Sequence, residues 1–224
     1  MSKEGRMSTR VRVAVLLSGS GTTLQNLIDR SKAGELPAEI VVVVSSRKDA
    51  YGLVRAQQAG IPAHAVPSRR YGGFEEHSRA VTKVLDGYSP ELIVMAGYMC
   101  LYVIPERYLG KVMNVHPALI PAFCGKGLYG HIVHEEVLKY GVKVTGCTVH
   151  FVDNEYDHGP IILQRVVQVY SNDTPETLGE RVQAEERIAY PEAIRLYAEG
   201  RLALEGRRVR VLPGGWRPTS LCGV

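Results

Sequence analysis

The stretch Val11–Gln25, VRVAVLLSGSGTTLQ, gives the clearest evidence of the fold. Its first seven residues are apolar apart from Arg12, and they predict a buried central β-strand. The residues from Thr22 to Lys32 predict a helix that carries Leu24, Leu27 and Ile28 on one face. Glycines between the strand and the helix allow a tight turn. This strand–loop–helix unit is typical of parallel sheets that are covered by helices.

The same alternation continues along the first half of the chain. Further strands are predicted at 40–44, 63–66 and 91–96, separated by helices at 50–59 and 74–85. In the second half, strands are predicted at 111–115, 144–152, 161–169 and 209–212, with helices at 131–140 and from Pro175, where Thr174 is the N-cap. We therefore predict an α/β fold: one doubly wound, mostly parallel sheet with an antiparallel C-terminal part. The domain is expected at 11–212, between a disordered tail at 1–10 and a C-terminal tail at 213–224.

The composition is that of an ordinary globular protein. The chain has 224 residues, 45% hydrophobic and 22% charged, with a formal net charge of +4. No apolar run approaches the ~18 residues that a membrane helix requires, and no signal sequence is recognisable. The basic segment at 206–210 is predicted to be a solvated hairpin edge rather than a nucleic-acid site. Four scattered cysteines without a Cys-x-x-Cys motif indicate a cytoplasmic protein.

Two segments carry residues suited to acyl transfer. In NVHPALIP, residues 114–121, Asn114 and His116 are two apart and point to the same side of an extended backbone. In DHGP, residues 157–160, Asp157 precedes a Gly-Pro turn. An amide can stabilise an oxyanion, an imidazole can move a proton, and a carboxylate can orient the imidazole. The pattern favours a functional role for Asn114 and His116, whereas Asp157 taken alone is more typical of a turn.

The loop SGSG at residues 18–21 has two interpretations that the pattern leaves open. Its glycines and the following helix N-terminus can bind a phosphate, or they can simply form a tight turn. Leu24 breaks the dinucleotide fingerprint, and no P-loop lysine is present. His131 and His134 lie three apart on a predicted helix but lack a third ligand, so we predict packing or surface histidines and no metal.

The motifs together point to a known family. SGSGTTLQ (18–25), AGYM (96–99), NVHP (114–117) and DHGPII (157–162) occur in the order and spacing of the phosphoribosylglycinamide formyltransferases, which the chain resembles over about residues 11–203. The resemblance implies that a formyl group passes from 10-formyltetrahydrofolate to the amine of glycinamide ribonucleotide. Cys100 and Thr23 depart from the arginine and asparagine of many members, and the loop at 124–130 differs from the shorter common form.

The resemblance also implies roles for individual residues. The catalytic residues would be Asn114, His116 and Asp157. The ribonucleotide would be bound by Gly19, Ser20, Gly21, Thr22 and Thr23 at its phosphate, and by Gln183 and Glu186. The folate would be bound by Met99, Cys100, Leu101, Tyr102, His150 and Val152.

Other functions are compatible with parts of the pattern. Methionyl-tRNA formyltransferases and formyltetrahydrofolate deformylases use similar chemistry but carry additional domains, for which we expect no room in this chain. A non-catalytic nucleotide-binding module would use the 18–21 loop alone, which leaves the three catalytic residue types unexplained. We therefore expect small-molecule substrates, no nucleic acid and no membrane, and a monomer or a homodimer.

Overall fold

The computed structural model describes residues 10–214, so most of both predicted tails lies outside the described residues. Within it the chain divides between Cys100 and Leu101 into two compact units. The predicted domain limits at 11 and 212 stay a prediction.

The first unit alternates strands and helices, as predicted. Its strands are β1 (Val11–Leu17), β2 (Ala38–Ser45), β3 (Ala63–Ala65) and β4 (Leu92–Met95), and its helices are α1 (Thr22–Lys32), α2 (Tyr51–Gln58) and α3 (Phe74–Asp86). The strand order is β3-β2-β1-β4, and the pairs that β1 makes with β2 and β4 are parallel. Strands β1, β2 and β4 are nearly continuously apolar and are largely buried, whereas β3 is half-buried to exposed. This order confirms the α/β class and the central position of β1.

The second unit contains the predicted antiparallel part. Strands β5 (Val112–His116), β6 (Val144–Phe151) and β7 (Ile161–Gln168) pair in that order, and both pairings are antiparallel. Helix α4 spans His131–Tyr140, and α5 spans Pro175–Ala198. The predicted start of α5 is confirmed, because Thr174 Oγ1 accepts from Thr177 N at 3.3 Å.

A hairpin ends the described chain. Strands β8 (Leu202–Glu205) and β9 (Arg208–Val211) pair antiparallel, so the basic segment at 206–210 is a hairpin edge, as predicted. The sequence predicted β9 but not its partner β8, whose four residues are half-buried or exposed and give no alternating pattern. Among the described helices, none is both long and apolar enough to span a membrane.

Candidate active site

Two antiparallel strands present the central side chains of the site. Strand β5 carries Asn114 and His116, which pair directly with His150 and Thr148 on β6. Directly paired residues project their side chains from the same face of a sheet. The strand pairing therefore gathers an amide, two imidazoles and a hydroxyl on one face of the second unit.

Hydrogen bonds fix the turn that follows His116. Thr148 Oγ1 donates to Ala118 O at 2.7 Å and accepts from Ile120 N at 3.1 Å. From β7, Gln164 Nε2 donates to Ile120 O at 3.0 Å. Thr148 is completely buried. The NVHPALIP segment is thus held by side chains of the two following strands.

Asp157 reaches both residues of β5. Its Oδ1 lies 3.5 Å from Asn114 Nδ2, and its Oδ2 lies 3.5 Å from His116 Nδ1. The side chains of Asp157 and His116 are only 12% and 4% exposed, so water screens their charges weakly. Gly159 permits this placement, because a β-carbon there would collide with the carbonyl of Phe151. The structure therefore brings the three predicted catalytic residues together.

The ring of His116 has a defined orientation. Its Nε2 donates to the backbone carbonyl of Phe123 at 2.8 Å, and a carbonyl can only accept. Nε2 therefore carries a proton, and Nδ1 is the nitrogen that faces Asp157. On the other side, Gly125 N donates to Asp157 Oδ2 at 3.0 Å. These two contacts could not be predicted from the sequence, because backbone atoms of a loop leave no signal in the residue types.

His150 orients the amide of Asn114. Its Nδ1 donates to Phe151 O at 2.8 Å, so Nε2 is free to accept from Asn114 Nδ2 at 3.4 Å. Desolvation lowers the pKa of His150, which favours this neutral form. Its side chain is 1% exposed, and its Nε2 also lies 3.9 Å from Asp157 Oδ1. The expected role of His150 in the folate site stays a prediction.

Two hydrogen bonds from α2 hold the 18–21 loop of the first unit. Gly52 N donates to Gly19 O at 3.1 Å, and Arg55 Nε donates to Ser20 O at 2.9 Å. In the described part of the chain, the backbone N–H groups of residues 19–23 have no hydrogen-bond acceptor. These N–H groups precede and begin α1, where the helix dipole favours an anion.

Gly21 has a second, structural reason to be glycine. Its φ is +72°, and a β-carbon there would lie 2.6 Å from the Cα of Gly52. The sequence left open whether the loop glycines serve ligand approach or a tight turn, and this geometry requires glycine at position 21 for the turn itself. By contrast, a β-carbon on Gly19 would have no neighbour within 4 Å.

The remaining predicted binding residues are spread over several segments. Gln183 and Glu186 lie three apart on α5, where burial raises the pKa of Glu186 to about 7. No hydrogen bond joins either residue to the catalytic three. Of the predicted folate contacts, Met99 is exposed, Cys100, Leu101 and Val152 are half-buried, and Tyr102 is buried.

The described residues, 10–214, contain no group of three His, Cys, Asp or Glu side chains suited to a metal. His131 instead pairs with Glu135 at 3.1 Å, and His134 is buried beside Gly179. That catalysis needs no metal stays a prediction.

Comparison with known proteins agrees with this geometry. The family model described as formyl transferase matches residues 11–194. The chain is 45% identical over 200 residues to the trifunctional purine biosynthetic protein adenosine-3 of Gallus gallus, covering 88% of this chain but 19% of that protein. It thus spans between 14% and 20% of the length of the trifunctional relatives.

Shorter relatives match along most of their length. Phosphoribosylglycinamide formyltransferase of Haemophilus influenzae is 38% identical over 196 residues, 87% of this chain and 90% of that one. The crystal structure of glycinamide ribonucleotide transformylase 1 from Symbiobacterium toebii superposes with a TM-score of 0.85 at 45% identity, covering 92% and 95% of the two chains. On this evidence, the chain belongs to the formyl transferase family.

Proposed function

We propose that this protein transfers the formyl group of 10-formyltetrahydrofolate to the amine of 5′-phosphoribosylglycinamide, a step of de novo purine synthesis. The observation that carries the proposal is the position of the Asp157 carboxylate, 3.5 Å from both Asn114 and His116. The names of the relatives that match over most of their length support the same substrates.

Each catalytic residue has a task that its contacts suit. Asn114 Nδ2 donates to the oxygen that becomes negative when the amine attacks the formyl carbon. Its present bonds to His150 and Asp157 are long, at 3.4 and 3.5 Å, so the amide loses little when it exchanges one of them for the oxyanion.

His116 and Asp157 act together in this mechanism. His116 Nδ1 lies 3.5 Å from the carboxylate, too far for a strong hydrogen bond, so a proton on this nitrogen can be donated to the oxyanion. Asp157 also accepts, through a water molecule, the proton that leaves the attacking amine, and a proton passes to N10 of the folate as the bond between N10 and the formyl carbon breaks and tetrahydrofolate leaves. The N–H of Gly125 holds Asp157 Oδ2 in place during this transfer.

The two substrates are bound by different groups of residues. Residues Gly19–Thr23 take the phosphate with backbone N–H groups, and Gln183 and Glu186 contact the ribonucleotide. The segment Met99–Tyr102 and Val152 take the folate, while His150 acts mainly by orienting Asn114. We further propose that the enzyme works in the cytoplasm as a monomer or homodimer on small molecules.

A steady-state assay tests the proposal. Purified protein is mixed with 10-formyltetrahydrofolate, and consumption of the folate is followed by absorbance with and without 5′-phosphoribosylglycinamide. We expect rapid consumption only when the ribonucleotide is present. Equal consumption in its absence would identify a deformylase instead, and a requirement for methionyl-tRNA would identify the tRNA enzyme.

A further inference from the structure

The segment Phe123–Gly125 contacts both members of the His116–Asp157 pair through its backbone. Phe123 O accepts from His116 Nε2 at 2.8 Å, and Gly125 N donates to Asp157 Oδ2 at 3.0 Å. The same Oδ2 lies 3.5 Å from His116 Nδ1. The position of this segment therefore sets which nitrogen of His116 faces the carboxylate.

The backbone at this point adopts an unfavourable conformation. Phe123 has a φ of +51°, and Asp157 also has a φ of +51°; among the described non-glycine residues only Ser89 shares this region. Two of the three described non-glycine residues with positive φ, Phe123 and Asp157, thus contact His116. Such a conformation persists only where surrounding contacts hold it.

Two side-chain contacts hold the segment. The ring of Phe123 packs edge-on against Tyr140, the last residue of α4, with centroids 5.7 Å apart and planes at 81°. Cys124 Sγ donates to Pro121 O at 3.3 Å. The aromatic pair links the end of a regular helix to the carbonyl that holds His116.

We propose that Phe123 and Tyr140 form an aromatic latch that positions His116 for catalysis. The latch keeps the Phe123 carbonyl on Nε2 and thereby leaves Nδ1 for Asp157. Neither side chain touches the reacting atoms, so both are positioning residues. The proposal rests on the proposed function for its kinetic part but not for its spectroscopic part.

The kinetic test replaces Tyr140, which is 78% exposed and so can be changed without opening the core. We expect Tyr140→Ala to lower kcat by about 2- to 12-fold, the rate equivalent of one aromatic pair, with little change in either KM. Tyr140→Phe should restore kcat because it keeps the ring. Phe74→Ala, at an aromatic residue that is 54% exposed on α3, is the matched control and should leave kcat unchanged.

A double-mutant cycle tests whether Tyr140 acts through Phe123. Once Phe123→Leu has removed one ring, Tyr140→Ala should lower kcat no further. Additive losses, or an unchanged kcat in Tyr140→Ala, would overturn the latch.

Nitrogen-15 NMR of histidine-labelled protein, recorded over a pH series, provides a readout that needs no turnover. The wild type should show His116 protonated at Nε2 throughout, and Tyr140→Ala should show a mixture of neutral tautomers. A neutral ring protonated at Nδ1 in the wild type, or identical spectra for both proteins, would refute the latch. If the wild type showed the expected tautomer but no formyl transfer, the proposed function would fail while the latch survived.

Discussion

Two buried histidines of the site carry their protons on different ring nitrogens. His116 donates from Nε2 to Phe123 O, whereas His150 donates from Nδ1 to Phe151 O. As a result His116 turns Nδ1 towards the carboxylate, and His150 offers a lone pair to the amide of Asn114. Backbone carbonyls thus decide the chemical role of each imidazole.

The amide and the imidazole of β5 should both be needed for turnover. We expect Asn114→Ala to lower kcat by about 10²–10³, the usual effect of losing an oxyanion donor. His116→Ala should lower it by about 10²–10⁴, the range for a positioned acid–base group. Both constants come from the steady-state assay on folded variants.

His131→Ala provides the matched control, because His131 is half exposed and its ion pairs within residues 10–214 are with glutamates on α4 and α5. Its kcat should stay close to that of the wild type. Near-normal turnover in folded His116→Ala would remove His116 from the mechanism.

Glu186 should make ribonucleotide binding depend on pH. Burial raises the pKa of this carboxyl group to about 7, so the group becomes ionised as the pH rises through that value. The ionised form accepts hydrogen bonds from ribose hydroxyls better than the neutral acid. We expect the KM for the ribonucleotide to fall between about pH 6 and 8, and Glu186→Gln to abolish this fall. An identical pH dependence in both proteins would place the titrating group elsewhere.

At the scale of elements, the sequence predicted most of the regular structure. Strand β1 and helices α1 and α4 were predicted to the residue, because apolar periodicity and flanking glycines mark their limits. Strand β8 was missed because its short, half-exposed sequence carries no alternation. The contacts of Phe123 and Gly125 were beyond prediction, since they depend on loop backbone conformation rather than on residue type.

The loop before α1 allows ligand approach and packing to be separated. We expect Gly19→Ala to raise the KM for the ribonucleotide about 10-fold or more, because its β-carbon would crowd the hydrogen bonds between backbone N–H groups and the charged phosphate. The free energy of unfolding should change by less than about 0.5 kcal/mol. Gly21→Ala should instead destabilise the fold by about 1–3 kcal/mol, because its β-carbon would meet Gly52 at 2.6 Å.

Gly73→Ala is the control for that pair, since a β-carbon on Gly73 has no neighbour within 4 Å and its φ is extended. Both KM values and the free energy of unfolding are measured for each variant. If Gly19→Ala weakened the folate as much as the ribonucleotide, the loop would not be a phosphate site.

The packing of α4 against α5 should contribute to acid sensitivity. Desolvation, together with the neighbouring His131 and His116, lowers the pKa of His134 from its ordinary 6.5. Below about pH 6.5 the unfolded chain therefore binds a proton at His134 more readily than the native state does. The contribution of neutral His134 to the free energy of unfolding is complete above about pH 6.5. It is lost as the pH falls towards the native pKa, at about 1.4 kcal/mol per pH unit.

Denaturant unfolding of His134→Leu at several pH values measures this effect. The difference from the wild type isolates His134, because the opposite contribution of Glu186 and the parallel one of His150 are common to both proteins. The variant should gain stability relative to the wild type as the pH falls from about 6.5. If the free energies of unfolding of the two proteins ran parallel over the pH range, His134 would not contribute to the acid sensitivity.

For the whole molecule, the family match at residues 11–194 includes segments of both compact units. The catalytic three and their partners lie in the second unit, and the 18–21 loop lies in the first. The sequence motifs identified both segments, because each is short, local and rich in distinctive residue types. The orienting roles of His150 and of two backbone carbonyls became apparent only from strand register and loop conformation.

The central claim is that the protein moves a formyl group onto the amine of the ribonucleotide. The most direct measurement supplies 10-formyltetrahydrofolate labelled with carbon-13 in the formyl group, and follows the label by NMR. We expect the label in the N-formyl group of the ribonucleotide, at the rate at which the folate loses it, and almost none with His116→Ala. Label released as formate, or retained on the folate in the presence of wild-type protein, would contradict the account.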